Sequence, residues 1–345
     1  MIDTCICYAT DRGYLFPSLV SAMQARQHAS KAKSDIFIVG VELDGRTVDL
    51  FRRICDSEGI HFLPVPKSSI GSTPAAMGRL FLADLLPAQY SQLLYLDGDT
   101  QIVGSLDPLL EANLPAGKFL AADDPIMFEF ESGVYSYPQH FQSVYRGEKP
   151  TYRYFNSGVL RADRTTWSSI AARALALYET EYGTERGRLW RFADQDALNI
   201  VGGSSRIPLS LAWNFPIYLR DAGLHLAIKP SIYHFMASPK PWQGSFRPWN
   251  AKLFLPYLEA IHRYPELADY RTALSGTNHL RYRVQQRVKQ VSTLYWWKYS
   301  GRCQLILDYE QSLRAGAPAS RGQIASWPVN PAKLEALANA GPEIG

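Results

Sequence analysis

The chain has 345 residues, a net charge of +4, 46% hydrophobic and 20% charged residues, which excludes a disordered, collagenous or coiled-coil protein and is too weakly basic to argue for nucleic acid. Its four cysteines (Cys5, Cys7, Cys55, Cys303) form no disulfide framework and read as small buried apolar residues in a reducing compartment. No basic segment leads into an apolar stretch as in a secretory leader, and no window reaches the roughly 18 apolar residues of a membrane span, so the expectation is a cytoplasmic protein, soluble or peripheral.

The length suits two domains of about 150 residues each or one large α/β domain with appendages. From residue 2 to about 125 short apolar runs alternate with amphipathic stretches, the pattern of a mainly parallel sheet covered on both faces. Strands are predicted at Ile2–Ala9, Ile36–Val41, Ile60–Val65 and Gln92–Leu96, and helices at Pro17–His28, Val48–Glu58 and Ala75–Leu85. Such sheets bind ligands beyond the carboxyl ends of their strands, where Asp97 and Asp99 fall. A further strand, Phe119–Ala122, runs into Asp123 and Asp124, so two acidic strand ends point to one shared site. Residues 126–153 are aromatic and irregular and read as a loop or lid. A strand follows in YFNSGVLRADRTTW, then a helix over Trp167–Tyr182, then a helix opened by ADQDALNIV, where Asp194 is either an N-cap or part of the chemistry.

From about residue 270 the character changes. No Asp or Glu occurs between Asp269 and Asp308, while Arg281, Arg283, Arg287, Lys289 and Lys298 stand beside Tyr295, Trp296, Trp297 and Tyr299. Val284, Val288, Val291 and Tyr295 recur at helical spacing, so the segment either lies on a membrane with cations at its rim or packs on the main body with its tryptophans buried. Beyond Arg314 the Ala, Pro and Gly content predicts a loosely ordered tail.

The chemistry centres on LLYLDGDTQIVGSLDPL. Two carboxylates within a few ångströms repel by several kcal/mol at low effective dielectric unless a proton or cation lies between them. No Lys or Arg is adjacent to Asp97 or Asp99 in the sequence, so a divalent cation is the natural occupant; an acidic turn at a strand end is the plain alternative. Haloacid dehalogenase-type phosphatases use a related Asp-x-Asp-x-Thr/Val pattern, but Gln101 occupies the fifth position here.

In this order, the six patches YATDRGY, MGRLFLADLLP, LLYLDGDTQIVGSLDPL, YFNSGVLRAD, DQDALN and YHFMASPKPW resemble the family 8 glycosyltransferases, over about residues 1 to 245. These are retaining enzymes of the GT-A fold that use nucleotide-sugar donors with Mn²⁺; the bacterial lipopolysaccharide-type galactosyl- and glucosyltransferases are the nearest in pattern. The resemblance implies a Rossmann-like α/β fold with a mixed, mainly parallel sheet: a catalytic domain over 1–268 (nucleotide-binding half 1–125, lid and sugar half 126–268), a basic aromatic helical extension over 269–314 and a tail over 315–345. It makes Asp97, Asp99 and His234 the ligands of Mn²⁺, with Mg²⁺ as a substitute. Asp11 would accept the uracil N–H, and Arg79, Asp97, Asp124, Asn156 and Lys240 would hold the UDP-sugar, Lys240 at the diphosphate. Gln195 and Asp194 fall at the catalytic positions, where stabilisation of positive charge during front-face attack is preferred to nucleophilic attack by an amide. The implied reaction moves glucose or galactose to a hydroxyl of a glycan, lipid-linked if residues 280–299 contact the inner face of the cytoplasmic membrane. A catalytically silent nucleotide-sugar or glycan-binding protein on the same fold is the alternative. Gly13 and Ala237 depart from the family's usual Asn and Gly.

Overall fold

The run TCICYAT forms strand β1 (Thr4–Thr10), and its alternate residues serve opposite faces: Ile6 and Tyr8 enter one apolar cluster, Cys5 and Cys7 another. A strand that is apolar on both sides belongs in the middle of a sheet covered twice. That is where it lies in the computed structural model, which describes residues 2–148 and 150–315. After β1 the chain forms α1 (Arg12–His28), β2 (Ser34–Val41), α2 (Gly45–Glu58), β3 (His61–Val65), α3 (Leu82–Leu85), β4 (Gln92–Leu96), β5 (Thr100–Ile102), α4 (Asp107–Leu110) and β6 (Phe119–Asp123). It continues through α5 (Ile126–Glu131), α6 (Pro138–Val144), β7 (Phe155–Asp163), α7 (Arg164–Glu181), α8 (Ala193–Gly202), β8 (Arg206–Leu209), β9 (Phe215–Pro216), α9 (Leu224–Ile228) and β10 (Ile232–His234). The helices α10 (Asn250–Arg263), α11 (Gly276–Tyr299) and α12 (Arg302–Arg314) follow.

The main sheet has the order β3-β2-β1-β4-β7-β6-β8. It is parallel except for β7, which runs antiparallel to both β4 and β6. A second, small sheet pairs β10 antiparallel with β5 and parallel with β9. This is the mixed, mainly parallel architecture expected from the sequence.

Several local expectations change. α1 starts at Arg12, ahead of Pro17, because the Asp11 carboxylate accepts the N–H groups of Gly13 and Tyr14 and so caps the helix. Residues Ala75–Phe81 wind as a 3₁₀ helix and only Leu82–Leu85 as α; the Arg79 carbonyl there also accepts the Trp167 indole N–H at 3.0 Å. β7 ends at Asp163, whose carboxylate caps α7, so RTTW is helix rather than strand. The stretch read as a loop or lid holds α5 and α6, and Met127, Phe141, Val144, Tyr145 and Tyr154 form an apolar cluster of its own. Helices this short are below the length at which a periodic pattern can be read.

The late basic segment is one helix that packs on the main body through one face and leaves the other exposed, Trp297 being buried and Trp296 not. Trp297 and Gln286 of α11 are buried. Leu280, Val284, Val288, Val291, Tyr295 and Tyr299 project outward, between 57% and 76% exposed. α12 is tied to the main body: the Tyr309 hydroxyl donates to Asp123 Oδ1 at 2.9 Å, and Glu310 accepts from Leu211 N at 2.7 Å and Ser210 Oγ at 2.6 Å. The expected loose tail lies, beyond Ala315, outside the described residues.

Candidate active site

β4 runs into the acidic turn and β5 leaves it directly after Asp99. Opposite β5, β10 pairs His234 with Thr100, and Phe235 N donates to the Asp99 carbonyl at 3.0 Å. This register brings the imidazole to the two carboxylates: His234 Nε2 lies 3.2 Å from Asp99 Oδ1 and 3.6 Å from Asp97 Oδ2. One ligand atom from each of the three residues fits within 4.8 Å of the others. Gly158 of β7 completes the enclosure, its carbonyl accepting from Asp97 N at 2.8 Å. A Cβ there would come within 2.3 Å of His234 Cε1 and 2.8 Å of Asp97 Oδ2, so the approach of the three requires glycine. Gly98 is needed for space too, since its Cβ would sit 2.2 Å from Ser18 Oγ on α1.

A chain of side-chain amides sets the state of the imidazole. Asp124 Oδ2 accepts from Asn156 Nδ2 at 3.0 Å, and Asn156 Oδ1 accepts from Gly158 N at 2.9 Å and Asn214 Nδ2 at 2.8 Å. Asn214 thereby turns its oxygen to His234 Nδ1, at 2.8 Å. An amide oxygen only accepts, so Nδ1 carries a proton and Nε2 is the nitrogen turned to the two carboxylates. An imidazole nitrogen with two carboxylate oxygens is a donor set that suits a divalent metal.

Although no Lys or Arg adjoins the acidic pair in the sequence, tertiary packing brings two cations to it from distant segments. Arg79 pairs with Asp97 at 3.1 Å and with Asp194 at 2.9 Å, donates to the Ser157 carbonyl at 2.9 Å and lies over the Tyr95 ring. Lys240 Nζ bonds Asp99 Oδ2 and the Phe235 carbonyl, both at 2.6 Å. Burial pushes the Asp99 carboxyl upward, but the Lys240 ammonium and the His234 imidazole outweigh it and hold it well below the usual carboxylate range. Asp194 stays raised, since burial exceeds what Arg79 offsets. Asp97, Asp99 and Asp194 against Arg79 and Lys240 leave one negative charge, so room in charge terms for a divalent ion remains.

Beyond the carboxylates lies a buried polar end. Gln195 Oε1 accepts from Ser157 N at 2.9 Å, and its Nε2 donates to Asp124 Oδ2 and to the Tyr154 hydroxyl, both at 3.1 Å. Burial raises the Asp124 carboxyl, against hydrogen bonds from Asn156 and Gln195.

The sequence model described as Glycosyl transferase family 8 matches residues 5–245, which include all of these residues. The chain belongs to glycosyl transferase family 8. This family 8 chain is 24% identical over 225 residues to the lipopolysaccharide glucosyltransferase WaaO of Escherichia coli K12, covering 63% of each chain. It is 27% identical over 263 residues to the probable galacturonosyltransferase-like 3 of Arabidopsis thaliana, covering 69% of this chain and 74% of the relative. Its fold is similar to that of the crystallised galactosyltransferase LgtC, with a TM-score of 0.56 at 18% identity over 79% of this chain and 98% of LgtC, and is thus GT-A-like.

Among the residues singled out from the family patches, Asp97, Asp99, His234, Lys240, Arg79 and Asp194 form one ion network, and Asp124, Asn156 and Gln195 adjoin it. Asp11 stands apart, exposed at the start of α1 with Oδ1 committed to the cap. Asp194 is not the N-cap of α8, a place held by Phe192; it lies in the first turn with its carboxylate on Arg79. Both acidic strand ends reach the site, the second through one of its two carboxylates. Asp123 turns away into Arg153, Arg206 and Tyr309, and only Asp124 faces Gln195. Sequence reasoning overlooked Ser157, Gly158 and Tyr154, although all three lie in the quoted YFNSGVL, and nothing in the spacing of Asn214 marks it as the partner of His234.

Proposed function

We propose that this chain is a retaining hexosyltransferase that moves glucose or galactose from UDP to a hydroxyl of a glycan acceptor, with Mn²⁺, or Mg²⁺ in its place, held by Asp97, Asp99 and His234. The observation that carries this is the His234 ring, fixed by Asn214 so that its other nitrogen meets two carboxylates at the carboxyl end of the sheet. A divalent ion there would supply positive charge to the donor diphosphate and to the UDP that leaves. Lys240, fixed on Asp99, adds positive charge on the same side. Asp11 retains Oδ2 to accept the uracil N–H. Arg79 and Asp97 hold the donor where the buried Asp124, Asn156 and Gln195 meet its sugar. An amide oxygen is a poor nucleophile, so the acceptor hydroxyl attacks from the face UDP leaves. The anomeric C–O bond to the diphosphate breaks, the bond to the acceptor oxygen forms, and the hydroxyl proton passes to the departing phosphate oxygen. Gln195 and Asp194 stabilise the positive charge at the anomeric carbon.

The alternative is a silent nucleotide-sugar or glycan-binding protein. UDP release measured across a panel of UDP-sugars separates the two without knowledge of the acceptor. We expect slow release from UDP-glucose or UDP-galactose with Mn²⁺, abolished by a chelator; binding of donors with no release from any of them leaves the silent protein.

A lipid-linked acceptor of the lipopolysaccharide-core kind, met at the inner face of the cytoplasmic membrane, belongs to the same proposal. Its support is the outward stripe of α11, with Arg281, Arg283 and Arg287 also exposed. No helix among the described residues is long and apolar enough to cross a membrane, so contact would be lateral. Removing everything after residue 270 would also remove Tyr309 and Glu310 from the main body, so surface substitutions are the better test. The chain should co-sediment with phosphatidylglycerol vesicles, less so as salt rises, and Val284→Ser combined with Val291→Ser and Trp296→Ser should weaken this at least tenfold. Equal partitioning of both proteins removes the membrane reading.

A further inference from the structure

We propose that Arg191 reads an anionic group, a phosphate or a carboxylate, on the acceptor glycan; this rests on the transferase reading above. The Arg191 guanidinium lies 3.7 Å from the centre of the Tyr137 ring and 5.9 Å from that of Phe192. Both rings are open to solvent, Tyr137 at 53% and Phe192 at 39% exposure. Stacking uses the face of a guanidinium and leaves its edge free, and the edge carries the five N–H donors that suit bidentate binding of an oxyanion. Among the described residues no hydrogen-bond acceptor and no carboxylate within ion-pair distance meets those side-chain donors, Glu129 feeling the charge only at longer range. Arg79, Arg153 and Arg206 contrast with this, since each holds a carboxylate.

The place of Arg191 is fixed from inside. Its backbone N–H and that of Phe192 donate to Asp196 Oδ2 at 2.8 and 2.9 Å. Asp196 Oδ1 bonds His140 Nε2 at 2.7 Å, and His140 Nδ1 meets the Tyr135 hydroxyl at 2.9 Å. Asp196 already takes donors on both oxygens, so Nε2 carries the imidazole proton and Tyr135 donates to Nδ1. This buried chain, with no assigned part in the chemistry, joins α6 to α8, and so joins Tyr137 to Arg191 next to Gln195. Asp124, Asn156 and Gln195, proposed to meet the donor sugar, are buried, whereas Arg191 is exposed four residues before Gln195 in the chain. Exposed aromatic faces take the apolar faces of sugars, and the free guanidinium edge selects those that carry negative charge.

The test is kcat/KM on three acceptors of one sugar skeleton, neutral, phosphorylated and uronic, with the native chain, Arg191→Gln and Arg191→Lys, alongside acceptor-free UDP release from a UDP-hexose and a UDP-hexuronate. The native chain should prefer a charged acceptor by roughly 10- to 100-fold, mostly through KM, and the larger of the two preferences identifies the group. Arg191→Gln should bring the charged-to-neutral ratio close to one, and Arg191→Lys should restore part of it. Equal loss on charged and neutral acceptors, no charge preference in the native chain, or an effect confined to UDP-hexuronate each overturns the proposal while leaving the transferase reading intact. No UDP release from any donor overturns both.

Discussion

Asp99→Asn should lower metal-dependent UDP release by about a thousandfold, close to 4 kcal/mol of barrier, while leaving the chain folded. The two oxygens of Asp99 have different tasks: Oδ1 faces His234 Nε2 at 3.2 Å and Oδ2 accepts from Lys240 Nζ at 2.6 Å. An amide offers one oxygen and one NH₂ group. If the oxygen keeps Lys240, the NH₂ faces the position proposed for the metal; if the oxygen turns to the metal, NH₂ and ammonium oppose each other as donors. Either way one cation loses its anion. The ammonium retains the Phe235 carbonyl, so the fold should survive. Steady-state UDP release against Mn²⁺ concentration, with circular dichroism on the same samples, measures both. Retention of activity within tenfold, at an unchanged Mn²⁺ requirement, would show that the carboxylate is not a ligand.

Asp123→Asn should cost stability rather than chemistry, about 3–5 kcal/mol, the usual loss when one partner of a buried ion group is removed. Asp123 is fully enclosed and meets Arg153, Arg206 and the Tyr309 hydroxyl, so neutralising it leaves Arg206 without a carboxylate and Arg153 with Glu131 alone. Burial drives its carboxyl upward, but the two arginines outweigh that and place it below the ordinary value. The sign follows: with a folded-state pKa below the unfolded value of about 3.9, the contribution is complete above that pH and lost as pH falls through the folded value. Urea unfolding at pH 7 should show the full difference between native chain and variant, and the gap should narrow at acid pH. Tyr309→Phe, which removes one hydroxyl and no charge, should cost about 1 kcal/mol. A loss below 1 kcal/mol in Asp123→Asn would mean that the network adds little. The same network joins α12 to the end of β6, next to Asp124, so it carries the late helices onto the flank of the sugar end.

The chemistry was legible wherever it needs particular residue types at short, fixed spacing. Asp97-Gly98-Asp99, the Asn156 patch and the His234 to Lys240 run are of this kind, and each reaches the same cleft. The alternation in β1 was legible as well, because a strand apolar on both faces has one natural place. The helices α5 and α6 were not, since they are too short to show a period. The inference that a metal must neutralise Asp97 and Asp99 for want of nearby cations rested on neighbours in sequence, whereas Arg79 and Lys240 arrive through packing.

What the chain's residues determined by themselves were the sheet class and the acidic turn, because periodicity and local spacing are properties of neighbours along the backbone. Which of two adjacent carboxylates, Asp123 or Asp124, serves the cleft was decided only in three dimensions. Successive side chains on a strand point to opposite faces, and nothing local says which face is the cleft and which holds Arg153 and Arg206. The imidazole proton was settled the same way, through Asp124, Asn156 and Asn214, three residues from separate segments whose donors and acceptors acquire a direction only once they are packed together.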